Sequence, residues 1–191
     1  MKKLSRTLVT LGVLGACAAP ISSFAADGTI TFVGSVISST CNVNSAGAGN
    51  QGDKTVTLPP VAEDTLKSPG AVAGTTPLII TLQGCGNATY HNAYAVWELN
   101  NAPVDLNGNL QNIATTLPAT GVAIQLLNNG LVPINLRNSN NGVPGPSTGE
   151  TAATLDASGN GTLNYYAQYY ANAAAVAGAV SSRIQFSIAY Q

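Results

Sequence analysis

Charge is what this chain has least of. Only 8% of its 191 residues are Asp, Glu, Lys or Arg, seven basic against eight acidic. Such a balance gives no basic face for nucleic acid. Histidine is scarcer still. His91 stands alone, so a histidine metal cluster is excluded. A Ser-His-Asp arrangement would have to use that one residue, in a context without a nucleophile-elbow glycine pattern, and His91 reads as a surface residue. No apolar run approaches the ~20 residues needed to span a bilayer. No long stretch combines helical spacing with a cap and a stop, and no internal repeat is evident. Gly47, Gly49 and Gly52 sit in an Asn/Ala-rich loop with no helix to follow, so they form no phosphate cradle. Glu63-Asp64 reads as a solvated loop pair. These absences argue against an enzyme and imply no cofactor and no metal.

The first residues carry a different message. Lys2, Lys3 and Arg6 precede the apolar run Leu8–Ala16, and small residues follow around Ser23-Phe24-Ala25. A basic start, a short apolar core and a small-x-small exit make a secretory signal peptide over residues 1–25, cleaved after Ala25. A competing reading is a lipobox at Leu14-Gly15-Ala16-Cys17, with Cys17 lipidated. The downstream cleavage site and Pro20 favour Cys17 as one more apolar residue of the signal core. Without the signal, four basic residues face eight acidic ones, a net charge of −4. Cysteines fall to two, Cys41 and Cys85, an even number in an oxidising compartment, and they read as a disulfide. On the chain-entropy account such a bridge constrains the unfolded state by roughly 4 kcal/mol. About 166 residues remain, one domain of ordinary size.

What is present is strand signal. Gly28–Val36 alternates apolar and polar residues at period two, as does Arg183–Gln191 at the other end. Such alternation marks a strand with one buried face. Between them, strands are expected at Lys54–Leu58, Pro77–Cys85, Ala93–Leu99, Gly121–Leu127 and Gly161–Tyr170. Asn128-Asn129-Gly130 reads as a tight hairpin turn, with Leu131–Leu136 as its partner, demoted by Pro133 to an edge or irregular strand. The alanine-rich stretch Ala171–Ala179 reads as a connection with room for one helical turn. Residues 138–149, rich in Asn, Ser, Gly and Pro, read as a loop. About seven strands between turn-rich segments indicate an all-β chain and a β-sandwich.

Other features have plain explanations. Asn87-Ala88-Thr89 fits a glycosylation sequon but reads as a turn. Trp97, inside an alternating strand, reads as core rather than as a sugar-stacking platform. Tyr165-Tyr166 and Tyr169-Tyr170 place one ring on each sheet face, leaving the outward ones to a ligand or a neighbouring subunit.

Taken in order, Gly28–Val36 leading to Cys41, Cys85 ending a strand, and the ending Phe186-Ser187-Ile188-Ala189-Tyr190-Gln191 resemble the type 1 fimbrial subunits of chaperone–usher pili, major subunits included. Gly178, fourteenth from the end, and the penultimate Tyr190 match that family's marker glycine and tyrosine. Gly121–Leu126 resembles its central strand. The resemblance covers the whole mature chain. It implies an incomplete immunoglobulin-like β-sandwich that lacks its final strand and is completed by donor-strand complementation, first from a periplasmic chaperone and then from the next subunit. The donor would be residues 26–38, with Ile30, Phe32 and Val36 entering pockets and Gly34 at the family's donor-strand glycine. The pilin domain would be residues 39–191. Ile184, Phe186, Ile188 and Tyr190 would line the acceptor groove, with Gly178 and the Gln191 carboxylate contributing to the groove and the chaperone contact. The implied partners are other pilin subunits in a homopolymer, the chaperone and an outer-membrane usher, with export through the periplasm to a cell-surface fimbria supporting adhesion. The departures are the long 138–149 loop and the alanine-rich stretch before the last strand. The rival reading is a self-contained secreted or lipid-anchored β-sandwich that binds a carbohydrate or protein through its loops.

Overall fold

The computed structural model describes residues 31, 41–44, 52–85, 89–137 and 152–191. The chain divides into two compact units, Met1–Val36 and Ile37–Gln191. Of the first only Thr31 is described, and the fold below is that of the second. Ile30, Phe32, Gly34 and Val36, the signal segment with Cys17, Gly47 and Gly49, Asn87 and Ala88, and the 138–149 loop all lie outside the described residues.

Two antiparallel sheets are present. The larger runs β1 (Asn42–Val43), β2 (Val72–Gln83), β7 (Gly161–Val176), β5 (Thr120–Leu127), β4 (Leu110–Gln111). The smaller runs β6 (Ala153–Thr154), β3 (Asn92–Glu98), β8 (Gln185–Tyr190). Their facing rows make the core: Ile80 and Leu82 of β2, Leu163, Tyr165 and Ala167 of β7, Leu126 of β5, and Ala93, Ala95 and Trp97 of β3. Each row takes alternate residues of its strand, as the pleat demands. Trp97 is buried and meets Tyr165 edge-on, ring centroids 5.1 Å apart. Trp97 is core, as the alternation implied, and Tyr165 is the inward ring of its doublet. A second, smaller cluster joins Leu66, from the short 3-10 turn Glu63–Leu66, to Val122 and Ala171.

Strand β2 starts at Val72 and runs through Pro77. Proline is tolerated because β2 pairs with β7 on one side, while β1 covers only its last two residues on the other. The disulfide joins Cys41, just before β1, to Cys85, just after β2.

Three expectations need correction. Lys54–Leu58 is not a strand: Val56 and Leu58 are half-buried and their neighbours exposed, but no ladder forms among the described residues. Alternation reports one buried face, not a hydrogen-bonding partner. Leu131–Leu136 is an irregular loop in which Ile134 and Leu136 are buried and the other four residues exposed. Pro133 makes a single isolated bridge to Leu127, and Ile134 N–H donates to the Leu126 carbonyl at 2.9 Å while its side chain enters the core. Ala171–Ala179 is no helical connection, because β7 continues to Val176 with Val122 opposite Ala171 and Thr120 opposite Val176. Alanine fits there through size. Ala171 is fully buried against Leu66 and Val122, and Gly121, at φ 73°, makes a bulge in which a Cβ would lie 2.6 Å from the Ala174 carbonyl oxygen. Strand β5, expected as the central strand, lies inside the sheet between β7 and β4, and β7 is the middle strand.

One loop design occurs three times. At Asp105, Asn128 and Asp156 a side-chain oxygen accepts from the backbone N–H two and four residues on, at 2.8 to 2.9 Å. In each, the N–H of the first residue donates to the carbonyl of the fifth, at 2.8 to 3.0 Å. The fourth position is left-handed: Gly108, Leu131 and Gly159. The left-handed residue of the Asn128 turn is therefore Leu131 and not Gly130, which replaces the expected Asn-Gly hairpin with a five-residue loop.

Candidate functional site

Strand β8 is a sheet edge with an apolar face. Ile184, Phe186, Ile188 and Tyr190 point inward, each partly buried against the main core, while Gln185 and Ser187 are exposed. The registry with β3 explains how they fit. Ala93 stands opposite Tyr190 and Ala95 opposite Ile188, small residues facing large ones, and Trp97 stands opposite Phe186. The Trp97 and Phe186 rings meet edge-on at 6.3 Å, so the apolar row is backed by the buried indole. On the outer face Ser187 Oγ donates to Glu98 Oε1 at 2.7 Å.

Among the described residues β3 is the only strand that pairs with β8. The other edge of β8 presents backbone groups and a half-covered apolar row with no described strand beside it, the arrangement that invites strand addition. Leu58, on the extended segment before the 3-10 turn, packs against the same core.

Both ends of β8 are held. At the C-terminus the Gln191 carbonyl accepts from His91 and Asn92 N–H, both at 3.0 Å, and Gln191 N–H donates to the Asn92 carbonyl at 2.8 Å. His91 itself is exposed. Ahead of β8, Ala179 N–H donates to the Leu117 carbonyl at 2.8 Å and Ala119 N–H to the Ala179 carbonyl at 2.9 Å. Gly178 belongs to this junction: a Cβ there would sit 2.4 Å from Ala119 N and 2.6 Å from the Leu117 oxygen. Gly178 is thus explained by close backbone approach to Leu117–Ala119, and it is not one of the core-facing residues grouped with Phe186 and Ile188. Asn112 bonds four backbone groups at the same junction. Nothing in the sequence singled out Asn112, an isolated polar residue in a turn-rich segment.

The remaining candidates fall elsewhere. Glu63 Oε2 accepts from Ala177 N–H at 3.0 Å, and Asp64 pairs with Lys67 on the surface. Of the tyrosine doublets, Tyr165 is core. Tyr169 packs beside the second cluster, and burial pushes its phenol above the ordinary 10. Tyr170 lines an open groove of about 410 Å³ on the outer face of the large sheet, with Thr75, Gln125 and Gln168.

Residues 58–191 match the family model described as FimA: Type-1 fimbrial protein, A. The major fimbrial subunit SMF-1 of Stenotrophomonas maltophilia is 41% identical over 179 residues, covering 91% of this chain and 98% of that protein. The F17 fimbrial protein of Escherichia coli is 40% identical over 185 residues, covering 95% and 96%. In fold, the chain is similar to the P pilus rod subunit PapA, with a TM-score of 0.56 at 18% identity over 80% of this chain and 99% of that one. A chaperone–usher pilus structure gives the same TM-score at 22% identity over 87% and 96%. The relatives are fimbrial subunits, and they do not favour the self-contained ligand-binding sandwich.

Proposed function

The chain belongs to the type-1 fimbrial protein family, and from that premise we propose that residues 26–38 of one copy form the donor strand that docks beside β8 of the next. The protein is a structural subunit of an extracellular fimbrium, polymerises with other pilin subunits and is not an enzyme. The joint is the finer point. The observation that carries it is the half-buried row Ile184, Phe186, Ile188 and Tyr190 on a strand with one described neighbour.

The chemistry of the donor suits that row. Ile30, Phe32 and Val36 alternate, so one face of the segment presents all three. Burying each stabilises the joint by about 1.5–3 kcal/mol, and a ladder of backbone bonds along β8 adds directionality. Gly34 sits in the same alternating row, where a side chain would meet the groove floor. Plug and socket are different surfaces, so the contact is head-to-tail and extends into a filament. Slow dissociation then gives the rod its kinetic stability.

Residues 1–25 act as the export signal, 39–191 as the pilin domain, and a periplasmic chaperone covers the β8 edge before an outer-membrane usher hands it to the incoming donor. The Gln191 carboxylate and the Gly178 junction lie at opposite ends of the covered edge. Deleting residues 26–38 tests the assignment: the truncated chain should still bind the chaperone through its β8 edge but, with no strand to donate, should not join the growing end, so that it forms no fibres. Gly34→Arg should do the same with one side chain. Fibres of normal length from either variant would refute the donor assignment.

A further inference from the structure

We infer that Asn112 is a positioning residue for the acceptor strand, holding the lead-in to β8 so that its apolar row stays in register for strand addition. The inference rests on the donor-strand reading above.

Asn112 follows β4, the outermost strand of the larger sheet, whereas β8 is the edge of the smaller one. Its side chain ties the two edges together. Nδ2 donates to the Ala119 carbonyl at 2.9 Å and to the Ala179 carbonyl at 2.8 Å. Oδ1 accepts from Ala114 N–H at 3.0 Å and from Ser181 N–H at 2.9 Å. An amide side chain has two N–H donors and two carbonyl lone pairs, and this one uses all four. Neighbouring backbone bonds reinforce the same junction: the Ala179 carbonyl held by Asn112 also accepts from Ala119 N–H at 2.9 Å. Ile113 N–H, adjacent to Asn112, donates to the Ser181 carbonyl at 2.8 Å.

Register is what this arrangement protects. Ser181 lies three residues before Ile184, the first member of the apolar row. A one-residue slip of a strand turns its whole side-chain set to the opposite face, which here would exchange Ile184, Phe186 and Ile188 for Arg183, Gln185 and Ser187. The far end of β8 is already fixed through Gln191 to His91 and Asn92. Asn112 fixes the near end, leaving an edge held straight between two anchors, a preorganised template whose ordering cost is met before the donor arrives. No other residue type offers two donors and two acceptors at this reach. Aspartate would set a carboxylate against two carbonyl oxygens, and serine keeps one donor.

The test is capture of a fluorescent synthetic peptide with the sequence of residues 26–38 by the full purified chain, compared for the native protein, Asn112→Ala and Asp156→Ala. The last removes a comparable set of loop hydrogen bonds at Asp156, away from this junction. Asn112→Ala should capture the peptide at least tenfold more slowly and exchange the amide protons of 184–190 faster, while those of 161–170 keep their protection. Asp156→Ala should capture at the native rate. Equal capture by Asn112→Ala and the native chain, or an equal loss in both variants, would overturn the inference while leaving the donor assignment standing. Failure of the native chain to capture the peptide would remove the donor reading itself, and the inference with it. Should Asn112→Ala not fold, Asn112→Ser, which retains part of the bonding, is expected to show a smaller slowing in the same order, and native-rate capture by it would equally overturn the inference.

Discussion

Trp97 and Phe186 sit directly opposite one another on β3 and β8, their rings edge-on with centroids 6.3 Å apart. This pair joins the fully formed core to the row that remains partly uncovered, because Trp97 also meets Tyr165 across the sandwich at 5.1 Å. Phe186→Ala should therefore act twice. It should lower the unfolding free energy by about 2–3 kcal/mol, under the usual range for a fully buried phenylalanine because the ring is half-covered. It should also weaken capture of the donor peptide, since one wall of the acceptor row is gone. Denaturant unfolding with and without peptide separates the two effects. A stability loss with unchanged peptide affinity would show that Phe186 belongs to the body alone.

The three five-residue loops predict opposite outcomes for similar substitutions. Leu131 occupies a left-handed position at φ 61°, where Gly108 and Gly159 stand in the other two loops. Leu131 is 54% exposed, so its side chain contributes little burial to offset the backbone strain. Leu131→Gly relieves about 1–2 kcal/mol of that strain against about 0.5–1 kcal/mol of added chain entropy, and should raise stability slightly. Gly159→Ala should do the reverse and severely, because a Cβ there would lie 2.2 Å from the Cys85 carbonyl oxygen. Thermal melts of the two variants should move in opposite directions.

Which of these features could be read in the sequence follows from the length scale of the signal. Alternation over six or more residues located β3, β5, β7 and β8 and put Trp97 inside, while leaving open which tyrosine of the 165/166 doublet faces the core. Two-residue strands such as β1, β4 and β6 are too short to carry a period. Asp105-Leu106-Asn107-Gly108-Asn109 and Asp156-Ala157-Ser158-Gly159-Asn160 share a pattern visible on inspection, but the third loop hides because its left-handed residue is a leucine. The β7 extension past Tyr170 is set by the neighbouring β5 and by space at Ala171, both tertiary facts. For the acceptor row, Ile184, Phe186, Ile188 and Tyr190 were legible as one face of a strand. Asn112 was not, since its four partners are brought together only by the fold.

Acid should loosen the 156–160 loop in a defined direction. The Asp156 carboxyl is held below its ordinary value of 3.8, first by the backbone N–H of Asn160, then by the Asn160 side chain and the backbone N–H of Ser158. Lowering of the folded-state value means that the charged form favours folding. The contribution is fully present above the ordinary carboxylate value and disappears as the pH falls through the lower folded value. Asp156→Asn keeps an accepting oxygen but cannot titrate, so its stability should vary less with pH below about 4 than that of the native chain. Unfolding curves at several pH values down to about 2 check the slope; parallel profiles would mean that Asp156 is not the titrating group.

The outer face of the large sheet carries a polar chain whose members depend on one another. Thr75 Oγ1 donates to Gln168 Oε1 at 2.8 Å, Gln168 Nε2 to Gln125 Oε1 at 2.9 Å, and Gln125 Nε2 to Asn109 Oδ1 at 3.2 Å. Gln125, Gln168 and Asn109 are all buried, and the two glutamines face each other across β5 and β7. Removing one glutamine strands its neighbours, and a buried polar group without a partner costs about 1–3 kcal/mol. Gln125→Leu and Gln168→Leu should each destabilise by about that amount. The double variant removes both halves of the central bond and leaves only Thr75 and Asn109 at the ends, so its loss should fall short of the sum by about 1–2 kcal/mol. Denaturant unfolding of the four proteins closes the cycle. Strict additivity would show that the two amides are satisfied by water rather than by each other.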